Sequence, residues 1–78
     1  MTESAWNHIR SEHPELAPFE AAIMQTVTSP SVRSLDARPG RERYFAEEMG
    51  PSRYLCVVVE FGAGGGEVVT AFGLRRRR

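Results

Sequence analysis

The hydrophobic residues of this chain change their spacing once, near Pro30, and that change limits the folds it can adopt. Before it, Leu16, Phe19, Ile23 and Val27 recur at intervals of three and four, which is the stripe of an amphipathic helix. After it, apolar and polar residues alternate with a period of two, as they do in β-strands. The sequence therefore predicts helices in the first third and strands in the remainder.

Two helical segments are expected before the change. The first should span about ten residues, with Thr2 or Ser4 as its N-cap. It should end at His13, because a residue that precedes proline avoids helical dihedral angles. The second helix carries the apolar stripe and can begin at Pro14 or Pro18, since a proline in the first turn loses no helical hydrogen bond.

Four strands are expected after the change, near residues 32–36, 41–47, 53–61 and 67–72. Short connections favour an antiparallel meander, because parallel neighbours need crossovers of about a dozen residues. The predicted fold class is α+β, with one or two N-terminal helices packed on a four-stranded antiparallel meander sheet. Residues 1–74 are expected to form one small domain, and residues 75–78 a disordered basic tail.

The glycine-rich loop at residues 62–66 predicts a register for the last hairpin. If this loop is symmetric, Val59 faces Val69, Val58 faces Thr70 and Val57 faces Ala71. The residues that share the Thr70 face are then Cys56, Val58, Val68 and Phe72, and those on the other face are Leu55, Val57, Val59 and Phe61. The helices must cover at least one face, and which one decides whether Thr70 is buried or open to solvent.

Composition excludes several kinds of chemistry. Every basic residue is arginine, so a phosphate-loop lysine and a lysine Schiff base are both excluded. The single cysteine, Cys56, lies in a five-residue apolar run and is expected to be a small buried hydrophobic residue. That run is far shorter than the ~20 residues of a membrane span, and no signal-peptide pattern opens the chain. A cytoplasmic location without membrane association is expected.

Two groups of residues could carry chemistry. His8 and His13 are the acid–base candidates, because histidine titrates near neutral pH; their structural alternatives are an exposed helix residue and a cap. Their spacing does not put both rings on one helical face, so no metal site is assigned. Basic residues gather near Tyr44 and suit phosphate contacts, or alternatively a solvated strand edge; they are Arg33, Arg38, Arg41 and Arg43. Arg53 allows the same two interpretations.

Six segments in order resemble a known series: WNHI at 6–9, HPEL at 13–16, SP at 29–30, RERYF at 41–45, YLCVVV at 54–59 and VTAF at 69–72. The set is similar to small phage- and toxin-associated members of the barnase, EndoU, colicin and RelE-like nuclease superfamily. The resemblance covers nearly the whole chain and agrees with the order of helices and strands.

The resemblance implies a metal-independent endoribonuclease that uses no cofactor and cleaves RNA by attack of the ribose 2′-hydroxyl. It also implies a role as the toxin of a toxin–antitoxin pair as one option. By similarity, its catalytic residues would be His8, His13, Arg43 and Thr70. Arg41, Tyr44 and Arg53 would bind the substrate, Tyr44 by stacking on a base. RNA and an antitoxin protein are the expected partners, and a homodimer is open for so small a chain. The alternative is a non-catalytic protein- or RNA-binding module with the same fold.

Overall fold

A computed structural model describes residues 1–75, with the helical segments ahead of the strands. Helix α1 spans Glu3–Glu12, a 3₁₀ helix spans Pro14–Phe19, and helix α2 spans Glu20–Thr28. The strands are β1 (Val32–Leu35), β2 (Arg41–Glu47), β3 (Tyr54–Gly62) and β4 (Gly65–Leu74). They form one four-stranded sheet in the order β1-β2-β3-β4, and each neighbouring pair is antiparallel. The predicted α+β meander is confirmed; of the predicted basic tail, residues 76–78 lie outside the described part.

Local chemistry sets the limits of α1. The Thr2 hydroxyl accepts a hydrogen bond from the Ala5 backbone N–H at 3.0 Å, so Thr2 is the N-cap. At the other end, His13 leaves helical geometry while its backbone N–H still donates to the Ile9 carbonyl at 2.7 Å. The predicted end of the first helix at His13 is therefore confirmed.

The second predicted helix is divided into two kinds of helix. Residues Pro14–Phe19 form the 3₁₀ helix, and α-helical geometry begins only at Glu20. Pro18 has no backbone N–H and cannot donate the next hydrogen bond of an α-helix that begins at Pro14, and the tighter 3₁₀ helix spans Pro14–Phe19. The apolar stripe still faces one way, because Leu16 and Ile23 are both fully buried.

The last hairpin differs from the predicted one in its loop. β3 and β4 pair up to Gly62 and Gly65, so only two residues form the turn, and Gly65 takes a φ of 105° that favours glycine. A register shift between Val58 and Val59 then leaves Val69 as an extra residue in β4. This bulge keeps the predicted pairs Val58–Thr70 and Val57–Ala71.

The same bulge makes one predicted register pair and one predicted face wrong. Val59 pairs with Val68 rather than with Val69. Val68 therefore lies with Val59 in the helix-side core and not on the Thr70 face. Relative to the predicted symmetric loop, the shorter turn shifts the β3–β4 register by one residue. The bulge at Val69 then shifts the register back, so the predicted pairs return from Val58–Thr70 onward.

The two faces of the sheet form two separate clusters. On the helix-covered face, α1 packs against β4 and α2 packs against β2 and β3. The buried residues of this core are Ile9, Leu16, Ile23, Tyr44, Leu55, Val57, Val59, Val68 and Ala71. On the other face, which we call the helix-free face, Phe45, Cys56 and Val58 are buried against Val32, Val69, Phe72 and Leu74. Within the described residues, no helical side chain belongs to this second cluster.

Residues 1–75 contain no helix that combines the length and the apolar character needed to cross a bilayer. Cys56 is buried as predicted, and desolvation raises the pKa of its thiol to about 11. A thiol with so high a pKa is protonated at neutral pH, so Cys56 packs as a small hydrophobic residue.

Candidate functional site

Arg43 and Thr70 lie on the same face of the sheet. Arg43 of β2 pairs with Val58 of β3, and Val58 pairs with Thr70 of β4. Directly paired residues project to the same side, so the two side chains stand about 10 Å apart, two strand spacings, with Val58 between them. Ser34 of β1 pairs with Arg43 and completes a row across all four strands, which we call the Arg43 row.

The Arg43 row is on the helix-free face. Val58, its central residue, belongs to the cluster that contains no helical side chain among residues 1–75. The neighbouring row is entirely apolar and consists of Val32, Phe45, Cys56 and Phe72. Thr70 is only partly buried. The question that the sequence left open is thereby answered: the helices cover the opposite face, and Thr70 is accessible.

Asp36, which follows β1, holds the Arg43 guanidinium. Arg43 Nε donates to Asp36 Oδ1 at 2.7 Å, and the other carboxylate oxygen accepts from the Arg38 backbone N–H at 3.2 Å. The Asp36 side chain is 9% exposed and that of Arg43 is 27% exposed. The hydrogen bond from Arg43 is the main cause that lowers the pKa of Asp36, and the same bond raises the pKa of Arg43. Both groups are therefore charged at neutral pH.

His13 reaches the edge of this face. Its ring centroid lies 6.1 Å from that of Phe72, with the two planes tilted by 41°. Phe72 is two residues beyond Thr70 on β4 and projects from the same side, about 7 Å further along the strand. His13 Nδ1 also lies 3.9 Å from Glu15 Oε2. The C-cap position of α1 thus brings one predicted acid–base residue to Phe72, at the end of the apolar row that adjoins the Arg43 row.

His8, the other predicted acid–base residue, is not brought to the same place. It is exposed on α1, about one and a half turns before His13. Ile9, its neighbour, is the residue by which this turn of the helix enters the core.

The three predicted substrate-binding residues are divided between the faces. Arg41 shares the helix-free face, where its Nε donates to Glu60 Oε2 at 2.8 Å. Arg53 is exposed just before β3, and its guanidinium lies 5.6 Å from the centre of the Tyr54 ring. Tyr44 belongs to the helix-side core and is only 6% exposed, so the structure does not bring its ring to the Arg43 row. Alternation along β2 accounts for this, because Tyr44 follows Arg43 directly.

Sequence reasoning missed two residues of this face. The strand predicted at residues 32–36 includes Asp36 and gives it no role at the site, although an aspartate beside a turn that contains Pro39 and Gly40 is a frequent turn residue. Tyr54 projects with Cys56 to the helix-free face, and the period of two along β3 could have identified it as the aromatic ring on that side.

Two cavities in the described part of the molecule lie elsewhere. One, of about 250 Å³, is at the tip of the last hairpin and is lined by Glu60, Phe61, Gly62, Gly64, Gly65, Glu67 and Val69. Another, of about 290 Å³, lies beside the start of the chain and α2. Neither is lined by Arg43, Thr70 or His13, so the candidate site is an open sheet surface. Across the described residues, no group of three or more His, Cys, Asp or Glu side chains is placed to hold a metal ion.

Comparison with known proteins adds no relative: no protein-family model, curated protein or solved structure matches this chain.

Proposed function

We propose that this protein is a metal-independent endoribonuclease of the toxin type. It binds and cleaves RNA at its helix-free face. The observation that supports the proposal is the Arg43 row, in which an arginine and a hydroxyl share one face across two strand spacings, with a histidine at the edge of the same face. Cleavage by 2′-hydroxyl attack requires proton transfer and positive charge at the phosphoryl oxygens. His13, Arg43 and Thr70 are of the types that supply these.

Each residue has a distinct task in this proposal. The His13 imidazole takes the proton of the 2′-hydroxyl, whose oxygen bonds to phosphorus as the bond to the 5′-oxygen breaks, and then gives a proton, through solvent, to the leaving 5′-oxygen. The Arg43 guanidinium stabilises the charge that develops on the phosphoryl oxygens, and the Thr70 hydroxyl, two strands away, donates a hydrogen bond to the bound RNA backbone. Arg41 and Arg53 lie along the path of the neighbouring phosphates, and Tyr54 offers an aromatic ring for a base.

The test is cleavage of a mixed-sequence RNA oligonucleotide by the purified protein in the presence of a chelator. We expect products that end in a 2′,3′-cyclic phosphate, and no cleavage of the DNA oligonucleotide of the same sequence, since DNA lacks the nucleophile. Arg43→Ala should lower the rate about 10²–10³-fold, which is the effect of removing one such charge-stabilising donor. Cleavage of the DNA at an equal rate would exclude the mechanism.

Arg33→Ala is the matched control for Arg43→Ala. Arg33 is also a strand arginine in an ion pair, with Glu42 at 3.0 Å, but it lies over the Tyr44 ring on the helix-covered side. Its removal should leave the rate within about twofold, because surface substitutions away from a site have small effects. Equal losses in both variants would show that general electrostatics, and not the Arg43 row, govern the activity.

A second candidate function is an RNA- or protein-binding module without catalysis. Two observations favour it: only one of the two histidines reaches the edge of the helix-free face, and the Arg43 row adjoins an apolar row that suits a partner surface. It predicts RNA or protein binding that survives His13→Ala, with the RNA remaining at full length.

A further inference from the structure

The connection between β1 and β2 is a tight, internally bonded turn that fixes the Asp36 carboxylate. The Asp36 backbone N–H donates to the Arg41 carbonyl at 3.0 Å, and the Arg41 N–H donates to the Arg38 carbonyl at 3.3 Å. Gly40 adopts a φ of 79°, which lets the chain return into β2. One carboxylate oxygen is then held by the Arg38 N–H, so the other is left to contact Arg43.

The contact to Arg43 uses one particular edge of the guanidinium. Asp36 Oδ1 accepts from Nε, which is the nitrogen nearest the side-chain stem. The remaining Nη–H donors form the far end of the planar fork, the end that can grip two oxygens of a phosphoryl group. A guanidinium held at Nε cannot rotate freely, so its Nη groups keep one direction on the helix-free face.

We propose that Asp36 is a positioning residue, which holds Arg43 so that its Nη groups face the scissile phosphate. This inference rests on the proposed function, because the orientation matters only for an oxyanion on the helix-free face. Asp36 is 9% exposed and sits at the stem side of the guanidinium, so it acts through Arg43 and does not itself contact the substrate.

The experiment compares Asp36→Ala and Asp36→Asn in the RNA cleavage assay, with kcat and KM measured separately. Asp36→Ala should lower kcat about 10-fold or more with KM within about twofold, because even a small misplacement of a catalytic group can cost up to about 10²-fold in rate. Asp36→Asn keeps an oxygen for the Nε–H and should lose less. Both variants are assayed well below their midpoints of thermal unfolding, so a loss of folded protein cannot imitate a loss of kcat.

The control is Glu42→Ala, which breaks the Arg33–Glu42 ion pair on the helix-covered side and should leave kcat within about twofold. A wild-type kcat in Asp36→Ala would overturn the inference while leaving the ribonuclease proposal intact. A fall in kcat of equal size in Asp36→Ala and Glu42→Ala would overturn the inference as well.

A wild-type protein that cleaves no RNA in the same assay would instead contradict the proposed function, and with it the role of Asp36 in directing Arg43 toward a scissile phosphate.

Discussion

On one face of the sheet, Leu55 and Val57 lie beneath a layer of helices, while on the other Phe45 and Cys56 are buried only by residues of the sheet and its margins. The helix-covered face is a conventional core, in which two structural layers bury each other. On the helix-free face, side chains of the strands bury one another to a similar degree without a covering layer, and the polar Arg43 row lies next to them. This difference indicates that the first face supports the fold, and that the second can present Arg43 and Thr70 on rigid strands.

The largest test of this comparison is a pair of adjacent substitutions in β3. Leu55 and Cys56 are both fully buried but point to opposite faces. Leu55→Ala should lower the free energy of unfolding by about 2–5 kcal/mol, close to the whole stability of a domain this small. Cys56→Ala deletes a single heavy atom and should cost roughly 1 kcal/mol. Urea denaturation measures both, and equal losses would mean that the helix-free cluster supports the fold as strongly as the core.

The next prediction compares the two histidines. His8 lies within α1, and His13 is its C-cap residue. His13→Ala should lower the rate of RNA cleavage about 10²–10⁴-fold, because the His13 ring lies beside Phe72 at the edge of the helix-free face. His8→Ala should change it by about threefold or less, since His8 is exposed on the helix. Initial rates at saturating RNA decide the comparison. A larger loss in His8→Ala would move the acid–base role to the helix surface.

A smaller effect tests whether the helix layer can be weakened without altering the helix-free face. Thr2→Ala removes the N-cap of α1 and should lower the free energy of unfolding by about 1 kcal/mol. Ser4→Ala, an exposed hydroxyl two residues later, should cost about 0.5 kcal/mol or less. Thermal unfolding gives the stabilities, and RNA affinity should be the same in both variants. A loss of RNA affinity in Thr2→Ala but not in Ser4→Ala would show that the N-cap of α1 also positions His13.

The smallest expected effect is a change in how stability depends on pH. The Arg43 contact lowers the pKa of Asp36 in the folded state below its unfolded value of about 3.9. The stabilisation is therefore complete above that unfolded value and is lost as the pH falls through the folded pKa. Urea midpoints measured from pH 6 to pH 2 should fall less steeply in Asp36→Asn than in the wild type. Parallel curves would show that the pair contributes nothing to stability.

Much of the fold could be predicted because its signals are local. The change of hydrophobic period, the proline after His13 and the Thr2 cap each act within a few residues, and all three correspond to features of the structure. Of the candidate site, the pairs Val58–Thr70 and Val57–Ala71 could be predicted from the alternation of side chains and are confirmed, whereas the catalytic roles of Arg43 and Thr70 stay predictions.

The kind and order of the helices and strands follow from local patterns, since periodicity and capping depend on neighbours along the chain. The packing of distant elements determines which face the helices cover, and so whether Thr70 is open to solvent. Long-range packing likewise determines the two-residue turn with its compensating bulge, the burial of Tyr44 and the contact between Asp36 and Arg43. These features depend on contacts between residues that are distant along the chain, and their free energies have no signature in a local pattern.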